Sequence, residues 1–142
     1  MRTTTTAPPL AAHLRLAIAR TARRLRQEAG GGLSPTSAAA LATIDRFRHL
    51  TPSDLALRER IKRPTATRLI ANLEADGLIE RMPDPADRRS CLLSPTPEGA
   101  ALLREIRTRK DAFLADRLRK LSAEDRATLR RAAVLLEELL ED

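Results

Sequence analysis

The sequence is poor in cysteine, histidine and aromatic residues, and each scarcity excludes a kind of site. A single cysteine, Cys91, rules out a disulfide within the chain. The two histidines, His13 and His49, lie on different predicted elements with no cysteine or second histidine at metal-ligand spacing, so we expect no metal and no cofactor. The two aromatic residues, Phe47 and Phe113, fall at helix positions expected to be apolar. We assign both to the core, with the border of a ligand cavity as the lesser alternative.

Long apolar runs are also missing. No continuous stretch is long enough to cross a bilayer, and residues 1–9 lack the apolar core of a secretory signal, so we expect a cytoplasmic protein with no membrane partner. We interpret the Thr- and Pro-rich residues 1–9 as a flexible leader and residues 10–142 as one domain. Because no nucleophile, acid/base pair or metal cluster is visible, we predict no catalytic residues and no enzyme.

Positive charge is what the sequence has in excess. Its 142 residues include 26 Lys and Arg against 19 Asp and Glu, for a formal net charge of +7. Such an excess favours a polyanionic partner, with nucleic acid first. Arginine predominates over lysine, and its guanidinium group suits bidentate contacts to phosphates and guanine edges.

Hydroxyl residues followed by proline mark the starts of helices. Ser34, Thr51 and Thr96 each precede a proline, so the side-chain oxygen can accept from free N–H groups while the proline occupies the first turn. Thr51 and Ser122 also have an aspartate three residues on, a variant of the capping box. Helices are therefore predicted to begin near residues 35, 52, 97 and 123. An amphipathic first helix over residues 10–29 ends at three glycines.

The middle of the chain has the order helix, turn, helix, hairpin. Helices are predicted over residues 52–60 and 64–76, with Gly77 as a left-handed cap. Residues 78–82 and 90–94 are predicted as strands, joined by a charged loop. This order is typical of a winged helix-turn-helix, which lays its second helix in the major groove of DNA.

Long amphipathic helices flank this module. The last two are predicted over residues 97–120 and 123–140. We expect them to pack with the first helix across a dimer axis, and a monomeric helical bundle is the alternative. The predicted fold class is mainly α with a small β wing. A winged helix-turn-helix over residues 34–96 then lies between dimerisation helices at residues 10–33 and 97–142.

The segment from Leu50 to Gly99 resembles the MarR family of bacterial regulators. Three stretches carry the resemblance: RPTATRLIANLEADGLIER at residues 63–81, DPADRR at residues 84–89 and LSPTPEG at residues 93–99. The flanking helices match the family in length and order only. The resemblance implies a sequence-specific regulator, a repressor, that binds double-stranded DNA as a homodimer on a pseudo-palindromic operator.

The residues that the resemblance assigns to DNA lie at the start of the second helix of the module. They are Arg63, Pro64, Thr65, Thr67 and Arg68. Arg68 suits a bidentate contact to guanine, whereas the threonines suit hydrogen bonds or a methyl contact with thymine. A solvated surface charge is the alternative for Arg68. Arg63 stands where the family has a small capping residue and offers no acceptor, so water or a DNA phosphate is expected to cap this helix.

In the wing, the resemblance places Arg89 in the minor groove, with Asp87 in a supporting role and Arg88 on a phosphate. A salt bridge between Asp87 and one of these arginines is the alternative, and the two arrangements are compatible. Further cations around the module are assigned to phosphates: Arg58, Arg60, Lys62 and Arg81.

Three points stay open at the level of sequence. The same fold could serve as an architectural or protein-interaction module with only non-specific DNA binding. The resemblance implies a small lipophilic or phenolic effector between the dimerisation helices and the DNA module, although the sequence shows no aromatic-rich or charged pocket for it. Cys91 lies in a predicted wing strand, where packing as a small apolar residue outweighs oxidant sensing.

Overall fold

Eight helices and strands follow one another in the part of the chain that the structure describes. In the computed structural model, which describes residues 9–141, they are α1 (Leu10–Ala29), α2 (Pro35–Phe47), α3 (Pro52–Glu59), α4 (Arg63–Ala75), β1 (Ile79–Asp84), β2 (Asp87–Pro95), α5 (Pro97–Arg119) and α6 (Ala123–Glu138). The two strands form one antiparallel sheet, so the predicted fold class is confirmed. The leader predicted for residues 1–9 lies, Pro9 apart, outside the described residues.

Side-chain caps explain where four of the helices begin. The hydroxyl residues that the sequence marks as caps accept hydrogen bonds from the first turns of their helices: Ser34, Thr51, Thr96 and Ser122. At Thr51 the contact is reciprocal. Its hydroxyl accepts from the N–H of Asp54 at 3.1 Å, and its own N–H donates to the Asp54 carboxylate at 3.3 Å. All four predicted starts are confirmed.

The second helix of the module, α4, begins one residue earlier than predicted. Arg63 is its first residue, and Lys62 occupies the capping position in an extended conformation with φ −76° and ψ 152°. The prediction that Arg63 precedes the helix is therefore wrong. The Lys62 carbonyl already accepts the first helical hydrogen bond, from the N–H of Ala66 at 3.0 Å. Pro64 therefore occupies the second position of the helix, where its missing N–H is tolerated equally well.

At its other end, α4 closes on Gly77 as predicted. Gly77 has a φ of +71°, and its N–H donates to the Glu74 carbonyl at 3.0 Å. The N–H of Leu78 reaches back to the Leu73 carbonyl at 2.9 Å. Together these two bonds form a Schellman motif, which satisfies carbonyls that the helix end leaves free and turns the chain into β1.

The wing is longer and its turn tighter than predicted. The strands extend to Asp84 and resume at Asp87, so only Pro85 and Ala86 form the turn, and the loop expected over residues 83–89 is wrong. The register pairs Pro83 with Cys91 and then Asp84 with Asp87, which leaves residues 88–90 as a bulge in β2. Carboxylates explain the difference, because the Asp84 side chain accepts from the N–H of Ala86 at 2.9 Å inside the turn.

One hydrophobic core unites α2, α3, α4 and the base of the wing. Its buried members are Ala40, Leu41, Ile44, Leu55, Leu69, Ile70, Leu73, Leu78, Ile79, Leu93 and Leu103. The residues linking α2 to α3 also join the sheet, since the N–H of Leu93 donates to the Leu50 carbonyl at 2.7 Å and the N–H of His49 donates to the Leu93 carbonyl at 3.0 Å. The wing is therefore anchored at its base to the interior of the module.

The start of α5 depends on a glycine that packs against the chain after α4. A Cβ on Gly99 would overlap the Leu78 carbonyl oxygen, so no larger residue fits without movement. The Thr96 hydroxyl, which caps α5, also donates to the Gly77 carbonyl at 2.6 Å. Gly99 and Thr96 together fix the departure of α5 from the sheet.

The chain divides into two compact units. One is Ala29–Thr108, which contains the core described above. The described residues of the other are 9–28 and 109–141, and they belong to α1, the second half of α5, and α6. In this second unit α6 has no buried residue. Within the described residues, no helix combines the length and apolar character needed to span a membrane.

The core assignment of Phe47 is wrong. Phe47 ends α2 with 40% of its surface exposed, and the guanidinium of Arg58 stacks 3.6 Å from its ring centroid. Phe113 is partly buried in α5, with the guanidinium groups of Arg24 and Arg117 at 5.5 and 5.0 Å from its ring centroid. The chain thus uses its two aromatic rings as platforms for arginine.

Candidate nucleic-acid interface

The two faces of α4 differ in exposure. Leu69, Ile70 and Leu73 are buried in the core, as the 3.6-residue period predicts. Thr67 and Arg68 are exposed between them, and Thr65 is partly buried. The helix therefore presents a hydroxyl group and a guanidinium group outward while its apolar face holds it rigidly to the module.

The first turn of α4 has no side-chain cap. Lys62, at the capping position, offers no acceptor to the backbone N–H groups of the turn. The N–H groups of Arg63 and Thr65 therefore add to the positive end of the helix dipole, which favours an anion such as a phosphate oxygen. Lys62 and Arg63 are both exposed beside it and contribute full charges of the same sign.

The Arg63 side chain contacts the neighbouring helix. Its guanidinium donates to the Ser53 hydroxyl, which ties the start of α4 to the start of α3. Ser53 could not be predicted from the sequence, since a contact across ten residues and two helices leaves no local pattern. The sequence does carry a signal for another contact, between Arg81 and Glu74: opposite charges flank the Gly77 turn, and in the structure they meet at 2.9 Å.

The wing holds its arginines by backbone geometry. The Asp87 carboxylate accepts from the N–H of Arg89 at 2.9 Å, and the Arg88 and Arg89 side chains are exposed in the bulge of β2. Within the described residues, the Asp87 carboxylate therefore accepts from a backbone N–H and not from a guanidinium group. Asp87 shapes the bulge, and the bulge turns both arginines outward.

A groove of about 200 Å³ lies between α4 and the wing. Its lining brings together three predicted sets of residues: Arg63 and Thr67 from α4, Arg81 from β1, and Arg89 from β2. Three guanidinium groups therefore border one small groove, a density of positive charge that suits phosphate oxygens. Cys91, partly buried, also lines this groove.

The four residues assigned to phosphates fall into two pairs. Arg60 and Lys62 are exposed at the turn between α3 and α4. Arg58 stacks on Phe47, and Arg81 forms its ion pair with Glu74, so both of these side chains have partners within the chain. His13 and His49 are exposed, and across residues 9–141 no three His, Cys, Asp or Glu side chains come together as metal ligands would.

The chain is similar to known proteins over more of its length than this interface. A model of the MarR family matches residues 33–91. An uncharacterized HTH-type transcriptional regulator of Mycobacterium leprae is 38% identical over 134 residues, which is 94% of each chain. A crystal structure of a transcriptional regulator protein from Pseudomonas aeruginosa superposes with a TM-score of 0.84 at 35% identity and covers 94% of each chain.

A mutant of MepR from S. aureus, solved bound to an oligodeoxyribonucleotide, superposes with a TM-score of 0.71 over 95% of this chain and 100% of that one. At 20% identity this likeness shows the fold alone. The Mycobacterium relative and the family match identify a family of transcription regulators and not of enzymes. The chain belongs to the MarR family and is a DNA-binding transcriptional regulator.

Proposed function

We propose that this protein is a cytoplasmic homodimer that binds a pseudo-palindromic operator with sequence preference and represses a nearby promoter. One observation carries the proposal: Thr67 and Arg68 are exposed on α4 opposite its buried leucines, beside a groove lined by three arginines. Reading of the major groove requires a helix with one face held in the module and polar side chains exposed on the other. The second helix has both features and lies next to a basic wing. The S. aureus relative bound to an oligodeoxyribonucleotide supports DNA binding by this fold.

In this proposal, α4 reads bases and the residues at its start position it. Arg68 donates to a guanine, and Thr67 and Thr65 contact neighbouring base edges, each good bidentate pair contributing roughly 1–3 kcal/mol of discrimination. Pro64 fixes the first turn. Arg63, held by Ser53, presents its remaining N–H groups to the backbone phosphate that caps the helix.

The wing and the turn before α4 supply the rest of the contacts. Arg89 enters the minor groove and Arg88 binds a phosphate, both presented by the bulge that Asp87 shapes. Arg60 and Lys62, exposed at the turn, bind phosphates directly. Arg58 and Arg81, which have partners within the chain, contribute mainly through their positive charge.

The apolar surface of the second unit supports the homodimer. Large apolar residues are exposed there along three helices: Leu10, Leu16, Ile18, Leu114, Leu129, Val134 and Leu135. An amphipathic helix that buries no residue, as α6 does, gains little stability from its own chain. A two-fold partner that covers this surface would bury it, and would set two recognition helices about one turn of DNA, roughly 34 Å, apart.

Release by a small lipophilic or phenolic effector is the part of the proposal that rests on family membership. Such an effector must bind the DNA-free arrangement of the two recognition helices more tightly than the DNA-bound one. The reciprocal effect is then required: saturating operator DNA must weaken effector binding by the same factor.

Fluorescence anisotropy with the DNA upstream of the gene and a scrambled duplex tests the proposal. We expect the wild type to prefer the upstream duplex, and Arg68→Ala to lose about tenfold or more of that preference. Arg130→Ala, which removes another exposed arginine, this one from α6, is the matched control and should keep that preference. Equal, weak, salt-sensitive binding of both duplexes by the wild type, repeated with fragments selected from the genome, would favour an architectural module with non-specific affinity instead.

A further inference from the structure

The exposed face of α4 carries one carboxamide, on Asn72. This residue is the one asparagine of the sequence, and Gln27 on α1 is its one glutamine. Asn72 is exposed, and within residues 9–141 its side chain forms no hydrogen bond to the protein. Asparagine is a poor residue for the interior of a helix, because its short amide competes with the backbone for hydrogen bonds. Helix stability therefore does not explain an asparagine at this position.

Asn72 lies in a row with two residues already proposed to contact DNA. It follows Arg68 by four residues, which in an α-helix is about 40° around the axis and about 6 Å along it. Thr65, seven residues before Asn72, lies within about 20° of the same line. The three side chains therefore follow one line along α4, and Asn72 extends that line by one helical turn beyond Arg68.

The neighbours of Asn72 leave it open to a base edge. Its side chain is short, so a contact requires the backbone of α4 to come close to the DNA. Ala71 and Ala75 are both exposed beside it and have no atom beyond Cβ that would hold a base edge away. The wing lies toward another side of the helix, where Thr67 lines the groove and Glu74 forms an ion pair with a residue of β1.

The hydrogen-bonding groups of a carboxamide match one base in the major groove. Adenine presents the acceptor N7 beside a donor, its N6 amino group, and the asparagine amide offers the matching donor and acceptor in one plane. Guanine presents two acceptors, cytosine a donor, and thymine an acceptor beside a methyl group, so none of these three satisfies both atoms of the amide. The exposed amide therefore suits adenine.

We propose that Asn72 reads an adenine one or two base pairs from the guanine bound by Arg68, with its Nδ2 donating to adenine N7 and its Oδ1 accepting from the N6 amino group. The spacing follows from the distance of about 6 Å between the two residues along α4, since successive base pairs are about 3.4 Å apart. The inference rests on the DNA reading proposed above and adds a second base that selects the operator. A homodimer repeats this pair of bases in each half-site.

Selection of duplexes from a random pool, followed by substitution of single atoms in the DNA, tests this contact. The wild type should enrich the guanine and the adenine together, whereas Asn72→Ala should keep the guanine and lose the adenine. In the selected duplex, that adenine is replaced in one half-site with 7-deazaadenine, which lacks the N7 acceptor, or with purine, which lacks the N6 amino group. Each replacement should weaken wild-type binding about fivefold or more in fluorescence anisotropy. Neither should affect Asn72→Ala, which has already lost the contact.

Gln27→Ala is the control for the removal of a carboxamide. Gln27 is exposed on α1, so its variant should enrich the same bases as the wild type and respond equally to the two replacements. Alanine favours a helix more than asparagine does, so Asn72→Ala should melt no lower than the wild type. A change in its DNA binding then reports on the contact and not on a loss of fold.

The outcomes distinguish this contact from the proposed function. An adenine preference that is absent from the wild type, or that persists in Asn72→Ala, overturns the inference and leaves the guanine contact of Arg68 standing. A wild type that is insensitive to 7-deazaadenine does the same. If Asn72→Ala loses affinity equally for all duplexes, the amide binds a phosphate and the inference is overturned. A wild type that enriches no sequence overturns the proposed function as well.

Discussion

At the scale of single residues, Arg60 combines a strained backbone with a proposed contact to DNA. It ends α3 in the left-handed region, with φ 52° and ψ 44°. For a residue with a side chain this conformation costs roughly 1–2 kcal/mol, more than the 0.5–1 kcal/mol of additional chain entropy that glycine loses on folding. Arginine at this position is therefore unfavourable for the fold, which directs attention to its charge.

Arg60→Gly is expected to move stability and DNA binding in opposite directions. The free energy of unfolding should rise by about 0.5 kcal/mol, because the backbone strain is relieved. Affinity for DNA should fall, and the slope of log affinity against log salt should become shallower by about one unit, because one phosphate contact is lost. Urea denaturation and anisotropy at several salt concentrations measure the two effects.

The matched control for this position is Arg60→Lys, which keeps both the charge and the left-handed conformation. It should leave stability and the salt slope close to those of the wild type. A glycine variant that is more stable but has an unchanged salt slope would remove Arg60 from the phosphate contacts.

Residue-level contacts could be predicted from the sequence only where they are local. The Thr51 capping box and the Gly77 cap follow from spacings of a few residues, and both are confirmed. The contact between Arg63 and Ser53 joins two helices, so it depends on how the helices pack. The helical position of Phe47 predicts that it is buried in the core, but its ring lies at the surface beneath Arg58.

At the scale of elements, the wing shows how short side chains override a loop pattern. Two prolines and four charged residues in residues 83–89 indicate a loop, yet the strands run nearly to the tip. The carboxylates of Asp84 and Asp87 accept from backbone N–H groups at 2.9 Å in both cases, and so stabilise a two-residue turn and a bulge. Sequence patterns give the existence of the hairpin, whereas its register depends on these contacts.

Asp87→Ala separates this shaping role from simple charge. If charge alone mattered, removing a carboxylate from a DNA-binding wing would raise affinity. We expect affinity to fall about fivefold instead, because Arg89 loses the backbone contact that orients it. Faster hydrogen exchange of the Arg89 amide should accompany the loss.

Glu80→Ala is the control for the charge effect. Glu80 is exposed in β1, and its removal subtracts the same charge without touching the bulge. Its DNA affinity should stay equal to that of the wild type or increase slightly. If Asp87→Ala behaves like Glu80→Ala, the carboxylate acts through charge and not through the turn.

At the scale of the whole molecule, the two units differ in what stabilises them. The unit Ala29–Thr108 has its own buried core, with Leu41, Ile44 and Leu55 fully enclosed. The other unit leaves α6 without a buried residue. Helical periodicity predicts both sets of helices equally well, since amphipathic spacing indicates that a face will be covered and not which chain covers it.

This difference predicts a thermal stability that depends on protein concentration. Because association with a folded partner stabilises the folded state, the melting temperature should rise with protein concentration.

Leu129→Ala provides the sharper measurement. Leu129 on α6 is 47% exposed in the single chain, so its burial within one chain predicts only a small loss of stability on truncation. If a partner covers it, the change should cost about 2 kcal/mol per chain. Leu57→Ala in α3, 77% exposed, is the control and should change stability by less than about 0.5 kcal/mol. A concentration-independent melting temperature and a neutral Leu129→Ala would together mean that the chain is stable without a partner.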